Sequence, residues 1–495
     1  MDHYKTVIIG AGIAGLAAAE LLAEKHQDYA VFEARDRLGG RIKTDRRGLA
    51  PYDMGASWAH DTLTNPLFDK VLELIDETDD DPYKLYYDDQ TPIYFGRNKG
   101  PAFFNRHKIT QVLTELEKFV ELKYFEEIDR EDVALSDIIS QYIQKQGRLL
   151  TEEQVLYTPQ LARHLELWHG ISWDQMSSKF GLVDNVGRNC LFKNGYDLVI
   201  NGITSRLDSK RIFKEHIAKK IDTTEKPIKI TFTNGKVVSA DWVLCTIPQS
   251  ILQLEQNEMG GIEWLPKLPT RITDALARMS WGKLGKIVFE FDVAWWKHHD
   301  SDRFVGLADP DTHFLKIWDA IESKKPFPED EKRQDHESLP KPWDFPVLIL
   351  NLYKTSNVPS LLCFTQGELT EYLERHPENA WSYMCPILSR LAEPDLDSPK
   401  STEAQETVRK PTKTIVSDWT IDPFSRGSYA ACKPGDDPTD LVVQLERGFG
   451  QVRFSGEHTI LDGAGAVHGA WMSGRREANH IMIKTGVIEG EIDEW

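Results

Sequence analysis

A strand, a glycine-rich turn and a helix open the chain. Residues 6–15 read TVIIGAGIAG, a β-branched run that leads into Gly10, Gly12 and Gly15, and the helix-forming run LAAAELLAEK follows. In such a unit the first glycine allows a tight turn, the second lets backbone amides approach a pyrophosphate, and the third lets helix and strand pack closely. The next apolar strand ends at Glu33, whose carboxylate can accept hydrogen bonds from both ribose hydroxyls. The spacing favours a dinucleotide-binding unit over a glycine turn without a ligand.

A second glycine-arginine element follows the acidic end of this strand. The segment ARDRLGGR places Gly39, Gly40 and Arg41 in a loop, which we expect on the same side as the N-terminus of the first helix. There the forked guanidinium of Arg41 would complete neutralisation of a pyrophosphate. A fold that binds only NAD has no evident need for this element, so the pattern favours FAD.

Charge and size limit the partners of the chain. Its 495 residues are too many for one simple core, so two or three domains are expected. The net charge of −19 makes nucleic acid and anionic membrane surfaces poor partners and would attract a polycation. Many soluble cytosolic proteins are equally acidic, and the charge alone favours that simpler interpretation.

The cysteines and the N-terminal region indicate a reducing compartment. Five widely separated cysteines, an odd number with no C-x-x-C pair, are typical of buried thiols. The first strand begins by about Thr6, which leaves no room for a signal sequence, and no apolar run approaches the roughly 20 residues that span a bilayer. We therefore expect a cytoplasmic protein without a metal site.

The middle of the chain changes from helical to extended patterns. Helical periodicity dominates residues 109–142 and 152–169, and residues 228–247 are typical of a hairpin that turns at Asn234-Gly235. Residues 323–344 are rich in proline and charge without periodicity, which predicts a mobile surface insertion.

Several side chains in this region have more than one interpretation. Lys286 alternates with Ile287 on a strand, and the pattern alone favours an edge lysine that faces water over an inward-pointing amine. His60 taken alone is better explained as a surface histidine. Trp168 and Trp173 are most simply core aromatics. Asp88 and Asp89 end an acidic run that is mostly solvated loop, although both could line the mouth of a pocket.

A second ligand edge is predicted near the C-terminus. The segment VRFSGEHTILDGAGAVHGAW predicts a strand that ends at Gly456 and Glu457, a glycine-broken turn and a helix that begins near Ala466. The positive end of that helix could lie against the N1 and C2 carbonyl region of a flavin.

Taken together, these segments resemble the flavin-dependent amine oxidases, specifically the fungal polyamine oxidases of the spermine oxidase type. The resemblance covers nearly the whole chain, and the segments that carry it are VIIGAGIAG, EARDRLGGR, MGASW-x-HDTLTNP, YTPQLARHLELWHG, LGKIVFEF, VSDWT-x-DPFSRGSY and SGEHT-x-x-DGAG-x-x-x-GAW-x-SGRREA. Monoamine oxidases carry a flavin-bonding cysteine in an S-G-G-C-Y context, where this chain has Ser428. The resemblance therefore implies non-covalent FAD.

The resemblance also implies an architecture. We expect an α/β fold, α+β overall, with a Rossmann-like FAD-binding domain assembled from residues 1–78, 185–265 and 445–495. A substrate-binding domain of mixed sheet and helix would comprise residues 79–184 and 266–444.

Site residues follow from the matched motifs. Lys286 matches the lysine that holds a water near flavin N5, and His60 would hydrogen-bond the substrate amine. The substrate tunnel would include Trp58, Asp89, Trp168, Asn189 and His468. The cofactor would be held by Gly10, Gly12, Ala14, Gly15, Glu33, Ala34, Arg35, Gly40, Arg41, Gly55, Ala56, Ser57, Trp58, Ala218, Trp419, Tyr429, Gly456, Glu457, Ala466 and Val467. Two positions depart from the yeast pattern: His468 stands where a tyrosine is usual, and Met472 replaces a glutamate.

The implied activity is oxidation of a secondary amine of spermine or an N-acetylated polyamine, with oxygen as acceptor and hydrogen peroxide as product. A dry aromatic tunnel would favour the neutral amine at the reacting carbon, and Asp89 with the acidic mouth would hold the distal ammonium groups. Alternatives are a monoamine oxidase-like enzyme and an FAD-containing protein that binds a hydrophobic ligand. A pyridine-nucleotide-dependent flavin reductase would need a second dinucleotide fingerprint and usually a redox cysteine pair, and the sequence contains neither.

Overall fold

The computed structural model describes residues 1–78, 80–97, 106–126, 129–182, 186–328, 339–396 and 401–490. The strands in this part of the chain are β1 (Asp2–Ile9), β2 (Tyr29–Phe32), β3 (Thr44–Asp45), β4 (Tyr52–Asp53), β5 (Trp58–Ala59), β6 (Leu85–Tyr87), β7 (Ile93–Phe95), β8 (Cys190–Phe192), β9 (Ile212–Phe213), β10 (Ala218–Asp222), β11 (Ile228–Phe232), β12 (Val237–Cys245), β13 (Glu263–Leu265), β14 (Gly285–Glu290), β15 (Arg303–Gly306), β16 (Val347–Asn351), β17 (Ser360–Thr365), β18 (Lys413–Val416) and β19 (Val452–Phe454).

The α-helices of the same residues are α1 (Ile13–Glu24), α2 (Pro66–Thr78), α3 (Arg106–Glu126), α4 (Leu135–Gln146), α5 (Glu152–Ala162), α6 (Glu166–His169), α7 (Asp197–Thr204), α8 (Gln249–Leu252), α9 (Thr270–Ala277), α10 (Thr312–Ser323), α11 (Leu352–Ser356), α12 (Gly367–Arg375), α13 (Ala380–Leu388), α14 (Thr402–Glu406), α15 (Pro438–Arg447) and α16 (Val467–Lys484). Short 3-10 turns join several of them.

An eight-stranded sheet contains the predicted βαβ unit. Its order is β13-β10-β11-β12-β1-β2-β9, with β19 also paired to β12. β1 runs parallel to both β2 and β12. Along β1, Ile8 contributes to the core under α1 and α16, while Val7 contributes to the core on the opposite face. Because both faces are covered, β1 is apolar over consecutive residues, as expected for a buried parallel strand.

Close packing of α1 requires small residues at two positions. A Cβ on Gly15 would overlap the main-chain oxygen of Gly10, and a Cβ on Gly474 would overlap that of Ala14. The first contact brings α1 onto the end of β1, and the second brings α16 against α1. The close helix–strand packing predicted for Gly15 agrees with this geometry.

A six-stranded sheet forms the second layer, in the order β18-β14-β17-β16-β15-β7. Its pairs are antiparallel except β15 with β7. The alternation predicted for β14 is present, since Ile287 and Phe289 enter one core cluster and Val288 enters another. The prediction that Lys286 faces water is wrong: both faces of β14 are covered, and this residue is 5% exposed.

A three-stranded sheet, β5-β8-β6, joins segments that the sequence assigned to different domains. Every strand of the eight-stranded sheet lies within residues 1–78, 185–265 or 445–495, and every strand of the six-stranded sheet lies outside them. However, α9 and α15 pack on the eight-stranded sheet, through Leu276 and Leu441 among others. The proposed boundaries at 265 and 445 therefore cut through the packing, and α15 spans the second one.

Helices α3, α4, α5 and α10 share one apolar core, which includes Trp173. Part of the predicted insertion at 323–344 lies outside the described residues, at 329–338. The described end of this segment, residues 339–344, is largely exposed, but Trp343 is buried and packs edge-to-face on Phe95, with ring centroids 6.0 Å apart.

None of the five cysteines, all of which the structure describes, forms a disulfide: Cys190, Cys245 and Cys363 are buried, and Cys385 and Cys432 are partly exposed. Within the described ranges, none of the helices has the length and apolar content needed to cross a membrane.

Candidate active site

A cavity of about 510 Å³ runs along the ends of β1 and β12 towards β14. Its volume falls within the roughly 300–1,000 Å³ of small-molecule and cofactor sites. One end, the cofactor end, is lined by glycines and main chain from the predicted dinucleotide unit; the other, the amine end, is lined by Lys286 and by aromatic and charged side chains.

Two glycine loops form a main-chain cradle at the cofactor end. Gly10 has a φ of +105°, and its added Cβ would lie 2.5 Å from Thr246 Oγ1. Gly12 precedes α1 and forms a bridge with Gly39, and a Cβ on Gly40 would lie 3.1 Å from the Cα of Gly12. No side chain caps α1. A helix N-terminus with free N–H groups beside a bare main-chain surface suits a pyrophosphate.

Glu33 lies at the end of β2, buried and fixed by main-chain amides. Its Oε2 accepts from Ala11 N at 2.7 Å and its Oε1 from Arg35 N at 2.9 Å. Arg35 also lines the cavity, but its guanidinium pairs with Asp422 at 2.9 Å. Each carboxylate oxygen of Glu33 keeps a lone pair that a ribose hydroxyl can use.

Arg41 and Glu457 connect the two predicted ligand edges. Arg41 Nη1 donates to Glu457 Oε1 at 2.9 Å and to the Ser428 main-chain oxygen at 2.7 Å. Only this nitrogen of Arg41 is bonded to protein atoms in the described part of the chain, so the remaining N–H groups can bind phosphate oxygens. The cradle, the acidic strand end and this guanidinium fit the ribose and pyrophosphate of FAD.

The second helix N-terminus lies at the same cavity. Gly456 follows β19 with a φ of +147°, and a Cβ there would lie 2.7 Å from the ring of His458. Ala466 precedes α16, which has no side-chain cap, and both Ala466 and Val467 line the cavity. The predicted helix start is confirmed within one residue.

Aromatic residues flank the region between the two ends. Trp419 is buried, and its Nε1 donates to the Met54 main-chain oxygen at 2.7 Å. Tyr429 donates from its hydroxyl to the Trp168 main-chain oxygen, and burial raises the pKa of Tyr429 above its ordinary value. Both rings line the cavity and are held by main-chain acceptors.

Lys286 is a buried amine in the cavity wall. Its Nζ donates to the main-chain oxygens of Asp53 at 2.8 Å and Gly55 at 2.5 Å, and lies 2.5 Å from Ser57 Oγ. Burial lowers the pKa of Lys286 well below its ordinary value. A neutral amine satisfies the same contacts, because two N–H groups donate to the carbonyls while the lone pair accepts from the Ser57 hydroxyl.

The carboxylate of Asp53 raises the pKa of Lys286 and so opposes the effect of burial on that amine. Its Oδ1 accepts from Thr44 Oγ1 at 2.5 Å, and both oxygens accept from Tyr196 N at 3.1 Å. Burial raises the pKa of Asp53, and the positive charge of Lys286 counteracts part of that rise. Since burial disfavours both charges and each charge stabilises the other, the two groups gain or lose their charges together.

His60 presents a hydrogen-bond acceptor to the amine end. Its Nδ1 lies 2.9 Å from Asn189 Oδ1, and its ring centroid lies 5.9 Å from that of Trp168. Burial lowers the pKa of His60, which favours the neutral ring at neutral pH. An amide oxygen only accepts, so Nδ1 carries the proton and Nε2 is left as an acceptor.

Most residues implied by the resemblance line this cavity, but Gly15, Asp89 and His468 do not. Gly15 acts in helix packing. The Asp89 side chain is 55% exposed and pairs with Arg188 at 3.1 Å. His468 is buried behind the wall, with Nε2 3.7 Å from Asp61 Oδ2.

Asp88 lines the cavity instead of Asp89. Burial raises the pKa of Asp88 to about 6, although the charge of Arg303 lowers it. The two adjacent aspartates follow β6, and consecutive residues in an extended segment point in opposite directions, so only one of them can face the cavity. Trp168 is not the core aromatic that the sequence most simply indicated. It is 41% exposed and lines the cavity.

Sequence reasoning missed Asp53, Arg303 and Phe364. Phe364 lies under Lys286, whose Nζ is 4.9 Å from the ring centroid. Asp53 stands two positions before Gly55, which was a usable signal. Arg303 lies in a segment without a recognisable motif, so the sequence carried no signal for it. No cluster of three or more histidine, cysteine or acidic side chains suited to a metal occurs in the ranges that the structure describes.

Comparison with known proteins identifies the family. A family model described as flavin containing amine oxidoreductase matches residues 13–482. The chain is 36% identical to a corticosteroid-binding protein of Candida albicans, over 97% of this chain and 96% of the relative. It is 26% identical to polyamine oxidase 4 of Oryza sativa subsp. japonica, over 97% of this chain and 90% of the relative.

A solved structure of putrescine oxidase, a double mutant from a structure-based redesign of cofactor binding, has the same fold. The TM-score is 0.67 at 17% identity, with 97% of this chain and 99% of the other covered. The α/β architecture predicted from the sequence is thereby confirmed. The cofactor is FAD, and the chain belongs to the family of flavin-containing amine oxidoreductases.

Proposed function

We propose that this protein is a polyamine oxidase that oxidises a secondary amine of spermine or of an N-acetylated polyamine. The supporting observation is one cavity that joins an FAD cradle to a buried amine, Lys286, and a neutral histidine, His60. Plant relatives named polyamine oxidases support the same substrate class.

The amine end selects the protonation state of the substrate. Alkylamines have a pKa of about 10, and a protonated nitrogen has no lone pair to assist loss of hydride. Trp58, Trp168 and Phe364 provide apolar surface that penalises the ammonium form. His60 Nε2 can accept from the remaining amine N–H and hold the nitrogen in place.

Bound FAD would supply the hydride acceptor and, with oxygen, the route to hydrogen peroxide. Lys286 would hold a water molecule and assist hydrolysis of the imine product or flavin reoxidation. Its contact with the Ser57 hydroxyl provides a path by which a proton can move at Nζ. The products would be a shorter amine and an aminoaldehyde.

Peroxide release measured with spermine, N-acetylspermine, spermidine and simple monoamines tests this proposal. We expect rapid release with at least one polyamine and slow release with monoamines. Faster turnover of monoamines would favour a monoamine oxidase-like enzyme and contradict the proposal.

A second candidate is an FAD-containing protein that binds a hydrophobic ligand, which the similarity to a corticosteroid-binding protein favours. Equilibrium titration with a corticosteroid, alongside the amine panel, separates the two candidates. Tight steroid binding without peroxide from any amine would support this second function.

We also propose that FAD is bound non-covalently and that the protein is cytoplasmic. Ser428 occupies the position of the flavin-bonding cysteine, and its Oγ accepts from Leu284 N at 3.2 Å. Acid precipitation should release all yellow colour into the supernatant; colour in the pellet would contradict a dissociable flavin. Microscopy of a fluorescent fusion expressed in a yeast tests the location.

A further inference from the structure

A partly buried ion pair lies in the wall of the amine end. Arg303 Nη1 donates to Asp88 Oδ2 at 2.8 Å, and Nη2 donates to the main-chain oxygens of Asp88, at 2.6 Å, and Gln90. The side chains of Arg303 and Asp88 are 16% and 14% exposed. Arg303 begins β15 and Asp88 follows β6, so two strands fix the pair, and both residues line the cavity.

The described wall of the cavity offers no unpaired carboxylate to a free ammonium group. Its carboxylates are Glu33, Asp88 and Glu457. Glu33 accepts from two main-chain amides, Glu457 pairs with Arg41, and Asp88 pairs with Arg303. A fully charged polyamine would therefore have to compete with an existing partner to bind any of them.

Asp88 and Arg303 nevertheless present unused hydrogen-bonding groups side by side. Arg303 Nη1 bonds Asp88 through Oδ2, so the second carboxylate oxygen, Oδ1, keeps acceptor capacity, and Nη1 has a second N–H. Arg303 Nε, without a hydrogen-bonded partner among the described residues, lies 3.4 Å from Asp302 Oδ1. Asp302 does not line the cavity and is held by the Tyr86 hydroxyl at 3.1 Å, so its charge balances Arg303 from within the protein.

A site with an acceptor next to a donor suits a secondary amide ligand better than it suits an ammonium ligand. The amide carbonyl accepts from the guanidinium while the amide N–H donates to the carboxylate. An ammonium group has only donors, and at Asp88 it would meet the positive charge of Arg303. A neutral amide avoids that repulsion.

We infer that the Asp88–Arg303 pair forms a subsite for an N-acyl group, so that an acylated polyamine is preferred to the free polyamine. The inference rests on the proposed function, because it concerns the distal end of an amine whose other part is oxidised. It assigns Arg303 the role of a specificity-determining residue.

The test compares kcat/KM for N-acetylspermine and for spermine in the flavin-loaded wild type, Arg303→Met and Asp88→Asn. The wild type should prefer N-acetylspermine by about tenfold or more, the effect expected from one hydrogen bond to a charged group. Arg303→Met should remove the preference, because Asp88 becomes free for an ammonium group. Asp88→Asn should increase it, because an unpaired guanidinium repels ammonium while its N–H groups remain for the carbonyl.

Opposite shifts by two neighbouring variants distinguish this subsite from a folding defect, which would lower both kcat/KM values and leave their ratio unchanged. Arg188→Met is the matched control, because Arg188 is an exposed arginine paired with Asp89 and does not line the cavity. In Arg188→Met, the ratio of kcat/KM for N-acetylspermine to kcat/KM for spermine should stay at the wild-type value.

The inference is overturned if the wild type prefers spermine, if the two pair variants move the ratio in the same direction or not at all, or if Arg188→Met moves it equally. Absence of peroxide with every amine would instead contradict the proposed function. The two failures are therefore separable.

Discussion

The cofactor end and the amine end of the cavity differ in which protein atoms line them. The cofactor end is mostly main chain: glycine loops at Gly10, Gly12 and Gly40, and the uncapped starts of α1 and α16. The amine end is mostly side chains from strands far apart in the sequence, with charges paired to one another. Main-chain cradles depend on local turn geometry, whereas side-chain walls depend on how distant segments meet. Changes at the first end should therefore affect the cofactor, and changes at the second should affect the reaction and its selectivity.

The largest effect is expected at the cofactor end, from Gly15→Ala. The added Cβ would overlap the Gly10 oxygen, and main-chain atoms cannot move aside without shifting α1. We expect a protein that retains little or no flavin, measured as flavin absorbance per protein.

Gly202→Ala is the control for that change. Gly202 lies in α7 with open space around it, and alanine in a helix is more favourable by about 0.5–1 kcal/mol. This variant should keep its flavin. Full flavin content in Gly15→Ala would show that the main-chain cradle does not depend on this close approach.

At the amine end, Lys286→Met should separate chemistry from cofactor binding. Loss of a group that positions water or moves a proton should lower kcat by about 100-fold or more, while bound flavin remains yellow. Lys283→Met is the control, because Lys283 lies on the same segment but is partly exposed and pairs with Glu371 at 2.6 Å. Turnover of Lys286→Met close to that of the control would reject the assignment.

A smaller effect concerns pH and stability at the cofactor end. Burial lowers the pKa of His458 from 6.5 to about 4. Between these values the unfolded chain binds a proton that the folded protein does not, so stability present above pH 6.5 is lost as the pH falls. Acidification from about pH 7 to about pH 5 should cost about 2 kcal/mol at this one group.

Urea unfolding at both pH values tests this expectation. His458→Gln should show a smaller difference between the two pH values than the wild type, whereas His376→Gln, at an exposed histidine, should resemble the wild type. An equal acid sensitivity in His458→Gln would mean that other groups carry the effect.

The smallest effect is expected for Asp89→Asn. Asp89 lies outside the cavity wall in an exposed ion pair, and such pairs contribute about 0–1 kcal/mol. We expect kcat/KM for spermine within about threefold of the wild type, in steady-state assays. A tenfold loss would restore Asp89 as a substrate-binding residue and weaken the role assigned to Asp88.

The same contrast explains what the sequence could predict. Gly10, Gly12, Gly15 and Glu33 lie within one short segment, so their spacing alone specifies a turn, a helix start and a strand end. The start of α16 was predictable for the same reason, since glycines flank it.

The amine end was harder to predict, because its residues meet only through tertiary structure. Alternation along β14 was predicted, but periodicity could not reveal that the face with Lys286 is covered by the segment around Asp53 and Gly55. The Asp88–Arg303 pair depends on β7 lying beside β15 and on the exact residue at which β6 ends. A one-residue difference reverses the direction of a side chain there, and the sequence pattern left Asp88 and Asp89 as equal candidates for the mouth of the pocket.

An anaerobic mixing experiment with the flavin-loaded protein shows whether the two ends of the cavity act together. If the cofactor end and the amine end form one catalytic cavity, N-acetylspermine or spermine should bleach the flavin absorbance without oxygen, and Lys286 should not be required for flavin retention. Absence of bleaching with every polyamine at saturating concentration, in protein that retains its flavin, would contradict a single catalytic cavity for polyamine oxidation.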